Sequence, residues 1–190
     1  MPFVYEPAPT EPPLRQGELL RNVWLHVAGT VRELAEGTQL GITSVRHELL
    51  VPLNADCDLY WDYEERFPSD QPPATDPTLP HLVPFVILCG AYTQEDVRNR
   101  EGVNQGVWRR IEQNQDERYY YLPAASIGNP ATGQLPGLVL DFKKTCGIPT
   151  PALYDGMAHG VVRVAMIPPT YLHDLMHRFY AFHSRVALPE

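Results

Sequence analysis

Short apolar runs of strand type follow one another along this chain without a regular alternation of strands and helices. The six runs span residues 19–27, 42–53, 84–92, 118–122, 138–142 and 160–167. Strands that follow each other directly favour antiparallel pairing, because parallel strands need a long crossover between them. The pattern predicts a mainly β or α+β fold, either a small antiparallel barrel of the SH3-like type or a curved sheet.

The chain ends in a segment with helical rather than strand spacing. Pro168 and Pro169 open it, at a position where the missing proline N–H does no harm. Apolar residues then recur on one face between Leu172 and Val186. We expect a C-terminal helix docked on the sheet.

The run 84–92 is continuously apolar, which predicts a central, fully buried strand. Thr93 follows as a candidate N-cap, and helical spacing continues towards Gln115. Gly102 and Gly106 weaken this helix, so a break near them is expected.

Proline marks the organisation of the chain. Residues 1–16 carry five prolines and predict an extended N-terminal arm or a tail without fixed structure. Residues 68–84 carry six and predict a long loop. Residues 17–190 are expected to form one β-rich domain, because the part before the loop is too short to hold a core alone. Within it, residues 30–40 predict a short helix or an excursion between strands.

Composition narrows the class of function. A formal charge of −8 argues against broad adhesion to nucleic acid or an anionic membrane, although it leaves room for a local basic patch. Three distant cysteines without a CxxC motif predict reduced thiols and a cytoplasmic protein. No apolar run approaches the ~18 residues of a membrane span, so no membrane partner is predicted. No phosphate-binding loop or dinucleotide fingerprint is present, so no cofactor is predicted.

Two carboxylates flank a thiol where the second strand ends, at Asp56-Cys57-Asp58. If the strand continues, Asp56 and Asp58 project to one side, where they can bind a partner, hold a divalent cation or share a proton. In the alternative, Asp58 caps a short helix from Leu59 and Cys57 packs in the core.

A second acidic pattern ends the fifth strand run. Asp141 and Lys143 lie two residues apart and face the same way from a strand. This spacing resembles the acid-x-Lys half of the PD-(D/E)xK nuclease motif, in which the acid holds a metal and the lysine steadies a phosphate oxygen. Asp116 and Glu117 are candidates for the motif's other acid. The alternative is a solvated strand end with a salt bridge.

Basic residues precede a run of aromatic ones between residues 104 and 121. Arg109, Arg110 and Arg118 can bind phosphate, and Tyr120 can stack on a base, which is how sheets bind single-stranded nucleic acid. The alternative is a polar helix face that leads into a core strand, with Tyr119 and Tyr121 on one side and Tyr120 on the other.

The histidines give no metal site by their spacing. His173 and His177 stand one helical turn apart with no evident third ligand, so no metal centre is predicted.

Two resemblances to bacterial families accompany these patterns. The opening Gly17-Glu18-Leu19-Leu20 and the later strand Leu49–Asn54 resemble the start of MazF/PemK-type toxin domains, with Glu18 where the family has aspartate. That resemblance implies a small barrel that cleaves RNA without a metal and pairs with an antitoxin. The steps Cys57-Asp58-Leu59 and Arg118–Pro123 resemble bacterial proteins for which no activity is implied.

Three functional hypotheses follow. The first is a binding module for RNA, single-stranded DNA or a partner protein, in a toxin-like or defence system, with Asp56, Asp58, Arg109, Arg110, Arg118 and Tyr120 at its working edge. The second is a metal-dependent nuclease that uses Asp141 and Lys143, with Asp116 as a further metal ligand. The third is a structural subunit of a multi-protein complex. The oligomeric state stays open, and a homo-oligomer is compatible with each hypothesis.

Overall fold

A computed structural model describes residues 3–28, 42–69, 72, 74, 76, 78–128 and 133–185. The strands are β1 (Glu6–Pro7), β2 (Glu18–Ala28), β3 (Ile42–Pro52), β4 (Phe85–Thr93), β5 (Tyr119–Leu122), β6 (Ala125–Ser126), β7 (Gln134–Leu135), β8 (Leu138–Pro149) and β9 (Val162–Met166). The helices are α1 (Asp56–Arg66), α2 (Gln94–Arg98), α3 (Gln105–Glu112), α4 (Thr150–Ala158) and α5 (Pro169–His183). The element expected within residues 30–40 lies outside the described residues.

Seven strands form one antiparallel sheet in the order β1-β9-β2-β3-β4-β8-β5, and β6 pairs with β7 in a small separate ribbon. The sheet is open, with β1 at one edge and β5 at the other. The prediction of an α+β fold is therefore confirmed as an open antiparallel sheet with a C-terminal helix, and the closed barrel of SH3-like type is not what forms.

One face of the sheet packs on α5, as predicted. Alternate strand residues such as Val51, Leu140 and Phe142 meet Leu175 and Phe179 of the helix in a continuous apolar core. The helix adds a polar contact, because a ring nitrogen of His183 lies 3.1 Å from the Phe142 carbonyl oxygen. The C-terminal helix is thus part of the main core.

Two helix pairs cover the opposite face. The first pair, α1 and α4, buries Leu59 and Leu153 against the β2–β4 region and the end of β8. The second pair, α2 and α3, buries Val97 and Ile111 against β5 and the start of β8. Tyr119 belongs to this second cluster and Tyr120 to the α5 face, which confirms the predicted alternation of the tyrosines.

The predicted N-cap and helix break are confirmed. The hydroxyl of Thr93 accepts the Asp96 N–H, and the Asp96 carboxylate accepts the Thr93 N–H, forming a capping box. The helix α2 ends at Arg98, Gly102 follows in the connection with a φ of +82° that suits glycine, and α3 begins after its N-cap Asn104. The strand over 84–92 is interior, but Phe85 and Ile87 are exposed, so only its second half is buried on both faces.

The segment before β2 is extended and packed on the sheet. Its β1 pairs with β9, and Tyr5 and Leu14 are buried. Arg163 of β9 fastens it by donating to the Glu11 and Pro13 carbonyl oxygens and to the buried Glu18 carboxylate. Among the described residues, no helix is both long and apolar enough to span a membrane.

Candidate functional site

Asp141 is a fully buried charged residue near the α2–α3 face. It lies in β8 between Gly90 of β4 and Tyr119 of β5, and its side chain is 0% exposed. Arg118 donates to both carboxylate oxygens at 2.7 Å, and Arg100 donates to one at 2.8 Å. Burying a carboxylate is tolerated when it is paired and fully hydrogen-bonded, and this one is.

A bulge in β8 separates Asp141 from the lysine that follows it. Gly90 pairs with Asp141, yet the preceding residue Cys89 pairs with Thr145, so residues 142–144 have no partner on β4. The Asp141 carboxylate accepts the Lys143 N–H at 3.1 Å within this bulge. A bulge re-aims side chains. Here Asp141 points into the protein, and the Lys143 side chain is exposed.

Each of the two arginines that donate to Asp141 also stacks on a tyrosine. The Arg100 guanidinium lies 4.2 Å from the centre of the Tyr92 ring, and the Arg118 guanidinium lies 4.7 Å from that of Tyr119. The hydrogen bond to Asp141 raises the pKa of Arg118. With side chains 25% and 33% exposed, the two arginines are held in place with one side towards solvent.

Beside this network lies an open cleft of about 400 Å³, which we call the basic cleft. Three chain segments and the end of α5 build it. Its lining residues are Arg110, Gln115, Asp116, Glu117, Arg118, Lys143, Phe182 and Arg185. Four of these eight side chains are cationic, and they come from α3, the residue just before β5, the β8 bulge and the chain just after α5.

The cations of the basic cleft differ in how they are paired. Arg185 contacts Glu117 at 2.5 Å, but the Glu117 side chain is 78% exposed, and such a surface pair contributes little stability. Within the part of the chain that the structure describes, Arg110 and the Lys143 ammonium have no acidic partner at ion-pair distance. These two charges are therefore available to an anionic ligand.

Phe182 forms an apolar part of the cleft wall. Its ring is half-buried and lies 3.9 Å from the Arg185 guanidinium. The guanidinium lies over the ring, so its outer face offers a flat surface on which a planar ligand can stack.

The structure brings together only some of the residues predicted for binding. Arg110 and Arg118 line the basic cleft, whereas Arg109 is exposed on α3 outside the lining set. Tyr120 is 1% exposed, and its hydroxyl donates to the Tyr171 carbonyl oxygen at 3.1 Å. A buried ring of this kind offers no face for stacking, so Tyr120 is a core residue here.

Asp56 and Asp58 lie in the first turn of α1, not on a continued strand. The N-cap is Ala55, so Asp58 does not cap the helix, and Cys57 is exposed and does not pack in the core. Asp56 accepts from the Arg15 side chain and the Gln16 N–H, each at 2.7 Å. The carboxylate of Asp56 thus fastens the N-terminal segment to α1.

The pair Asp141 and Lys143 does not take the geometry of the nuclease motif. Both carboxylate oxygens of Asp141 face arginines, and Asp116 accepts the Arg118 N–H at 3.0 Å instead of joining Asp141. The strand does not end at this point, since β8 continues to Pro149. Among the described residues, no group of three acidic, histidine or cysteine side chains is placed to hold a metal ion.

Arg100, Phe182 and Arg185 were missed by the sequence analysis. Arg100 follows the short α2, and Arg185 follows α5 just beyond its last turn. No local pattern marks either residue, because their roles depend on the meeting of elements that are far apart in the chain.

A scan against protein-family models found no match, and neither did searches of curated proteins and of solved structures. The resemblance to MazF/PemK-type domains therefore stays a prediction.

Proposed function

We propose that this protein is a binding module that takes up single-stranded nucleic acid at the basic cleft. The observation that carries the proposal is the convergence of Arg110, Arg118, Lys143 and Arg185 from separate segments on one opening. Phosphate groups of a nucleic acid strand are bound mainly by arginine and lysine.

The distribution of charge supports the same ligand. Nine of the fifteen cationic residues fall in the segments 98–118, 143–144 and 178–185, which carry only four of the 23 acidic ones. The rest of the chain is therefore strongly acidic. A polyanion is repelled from most of the surface and attracted to the basic cleft, which favours binding in one place over broad adhesion.

The shape of the cleft favours a single strand over a duplex. Readout of a duplex needs a protruding helix or ribbon that enters a groove, whereas this site is concave. A single strand can turn one base onto the Arg185 guanidinium, which stacks on Phe182, while its phosphates meet Arg110 and Lys143.

The experiment compares binding of a fluorescein-labelled deoxythymidine oligonucleotide and its RNA counterpart by anisotropy. The double variant Arg110→Ala/Lys143→Ala removes two exposed charges without disturbing Asp141. We expect its affinity to fall about tenfold or more, as for the loss of two phosphate contacts. Arg118→Ala is a poorer probe, because it would also leave Asp141 underpaired.

Arg21→Ala is the matched control, since Arg21 is an exposed arginine on β2 outside the cleft lining. Its affinity should equal that of the unchanged protein. Absence of binding to either oligonucleotide, or equal binding by the double variant, would overturn the proposal.

A further inference from the structure

A second opening lies beside the basic cleft, along the last turns of α5, and we call it the α5 opening. It has a volume of about 370 Å³ and is lined by Glu117, His177, Arg178, Ala181, Phe182 and Arg185. Three of these residues, Glu117, Phe182 and Arg185, also line the basic cleft. The two openings therefore adjoin, and the stacked pair of Phe182 and Arg185 borders both of them.

The spacing of residues along α5 explains how these side chains meet. Arg178 and Phe182 stand four residues apart, which places them on the same face of the helix one turn apart. Arg185 follows just beyond the helix, and its Nε–H donates to the Phe182 carbonyl oxygen at 3.0 Å. A cationic residue of the α5 opening is thus followed by the two residues of the stack that both openings share.

Arg178 gives the α5 opening a cation with unused hydrogen-bond donors. One of its terminal nitrogens donates to the Asp116 carbonyl oxygen at 2.6 Å, which holds the side chain in place. Among the described residues, no carboxylate lies at ion-pair distance from Arg178, and its buried Nε–H has no acceptor. A guanidinium has five N–H donors, and one that is held in place without a counter-charge favours an anionic ligand.

The carboxylate of Glu117 borders both openings and contacts Arg185. Both side chains of this pair are exposed, and such a pair contributes little stability. A phosphate can therefore take the place of Glu117 at Arg185 at little cost. Arg178 and Arg185 together outnumber the one carboxylate that lines the α5 opening.

The chemistry of a single strand matches this arrangement of two adjoining openings. An internal nucleotide has a phosphate on each side of its sugar, so a base that stacks on the Arg185 guanidinium can direct one phosphate to each opening. Arg110 and Lys143 are placed for the phosphate on the side of the basic cleft, and Arg178 is placed for the other.

We propose that the nucleic acid strand continues past the stack of Phe182 and Arg185 into the α5 opening, where Arg178 binds a further phosphate. The site then binds an internal stretch of a strand in preference to a mononucleotide. This inference rests on the proposed function and adds to it a second phosphate subsite and a requirement for strand length.

The test measures binding of a fluorescein-labelled deoxythymidine oligonucleotide of about ten residues by anisotropy. His177→Glu places a carboxylate in the α5 opening from an exposed position on the helix. His173→Glu is the matched control, because His173 is exposed one turn earlier on the same helix and outside the lining of both openings. The two variants carry the same net charge, so a difference in affinity between them reports where the carboxylate was added. Arg178→Ala is a poorer probe, because it also removes the hydrogen bond to Asp116.

We expect His177→Glu to lower the affinity about fivefold or more, because the new carboxylate repels the phosphate, and His173→Glu to stay within about twofold of the unchanged protein. Thymidine monophosphate should displace the labelled strand only at concentrations about tenfold or more above those of the unlabelled oligonucleotide. Equal affinities of the two variants, or displacement by the mononucleotide at the same concentration as by the oligonucleotide, overturn this inference and leave the proposed function standing. Absence of binding by the unchanged protein overturns both.

Discussion

Asp141 shows how one buried charge decides the arrangement of its neighbours. A carboxylate with no exposed surface needs cationic partners, and Arg100 and Arg118 supply them from two different segments. The spacing of Asp141 and Lys143 in the sequence did not reveal this, because a β-bulge between them cannot be recognised without its partner strand. The sequence pattern singled out Asp141 and left a salt bridge open as the alternative to a metal site, but it did not show that the carboxylate is buried or which arginines pair with it.

Replacing Asp141 by asparagine should destabilise the fold, because two guanidinium groups would lose their charge partner. We expect the free energy of unfolding to fall by about 3 kcal/mol, the lower end for a broken buried pair, since both arginines keep some contact with water. Urea unfolding measures it. Glu117→Gln, in the exposed pair with Arg185, should change stability by less than about 1 kcal/mol. Equal effects of the two substitutions would contradict this account of Asp141.

At the scale of single elements, a side chain forms hydrogen bonds with the free backbone edge of strand β5. The Asn114 carboxamide oxygen accepts the Tyr121 N–H at 2.6 Å, and its amide nitrogen donates to the Tyr121 carbonyl oxygen at 3.0 Å. Asn114 thus occupies the place of a further strand, and its φ of +52° is one that asparagine tolerates.

Two substitutions at Asn114 separate the stabilisation by its side-chain hydrogen bonds from the strain of its left-handed backbone. Asn114→Gly keeps the backbone conformation and loses both side-chain hydrogen bonds, which should cost about 2 kcal/mol, about 1 for each bond. Asn114→Ala adds the strain of a left-handed alanine, about 1 kcal/mol more. Urea unfolding and the hydrogen-exchange rate of the Tyr121 amide measure the two effects. If alanine were no worse than glycine, backbone strain would play no part.

The elements themselves were largely predictable from the sequence. All six strand runs, the cap at Thr93, the break between α2 and α3 and the C-terminal helix follow from local patterns that the fold agrees with. The helix α4 was not predicted, because Pro151 and Gly156 within nine residues weaken the helical signal. The two-residue strands were missed since they are too short to have a period.

At the scale of the whole molecule, burial of tyrosines couples stability to alkaline pH. Burial raises the pKa of Tyr5, Tyr120 and Tyr154 above the ordinary value of about 10. The unfolded chain therefore loses these protons first, so stability is full below about pH 10 and falls as the pH rises further.

The expected loss is about 1.4 kcal/mol per pH unit for each tyrosine that stays protonated in the fold. Urea midpoints between about pH 9 and 11 measure it. Tyr5→Phe should make the urea midpoint depend less steeply on pH, whereas Tyr180→Phe, at an exposed position, should leave that dependence unchanged. A dependence that Tyr5→Phe does not alter would contradict this origin.

The chain has a net charge of −8, yet the fold gathers several of its cationic residues in one place. Composition argued against broad adhesion to nucleic acid and left room for a local basic patch, but it did not show that cationic residues from distant segments gather at the basic cleft. The predicted residues Arg110, Arg118 and Lys143 meet there, while Asp56 and Tyr120 serve the packing of other elements. Which residues meet depends on long-range pairing, and local patterns carry little information about that.

The most direct test of the central claim is the salt dependence of oligonucleotide binding. For single strands, each phosphate contact contributes about 0.7 to the slope of log K against log salt. We predict that the slope for Arg110→Ala/Lys143→Ala is smaller than that of the unchanged protein by about 1.4, and that Arg21→Ala keeps the original slope. Identical slopes for all three proteins would contradict the claim that the basic cleft holds the phosphates.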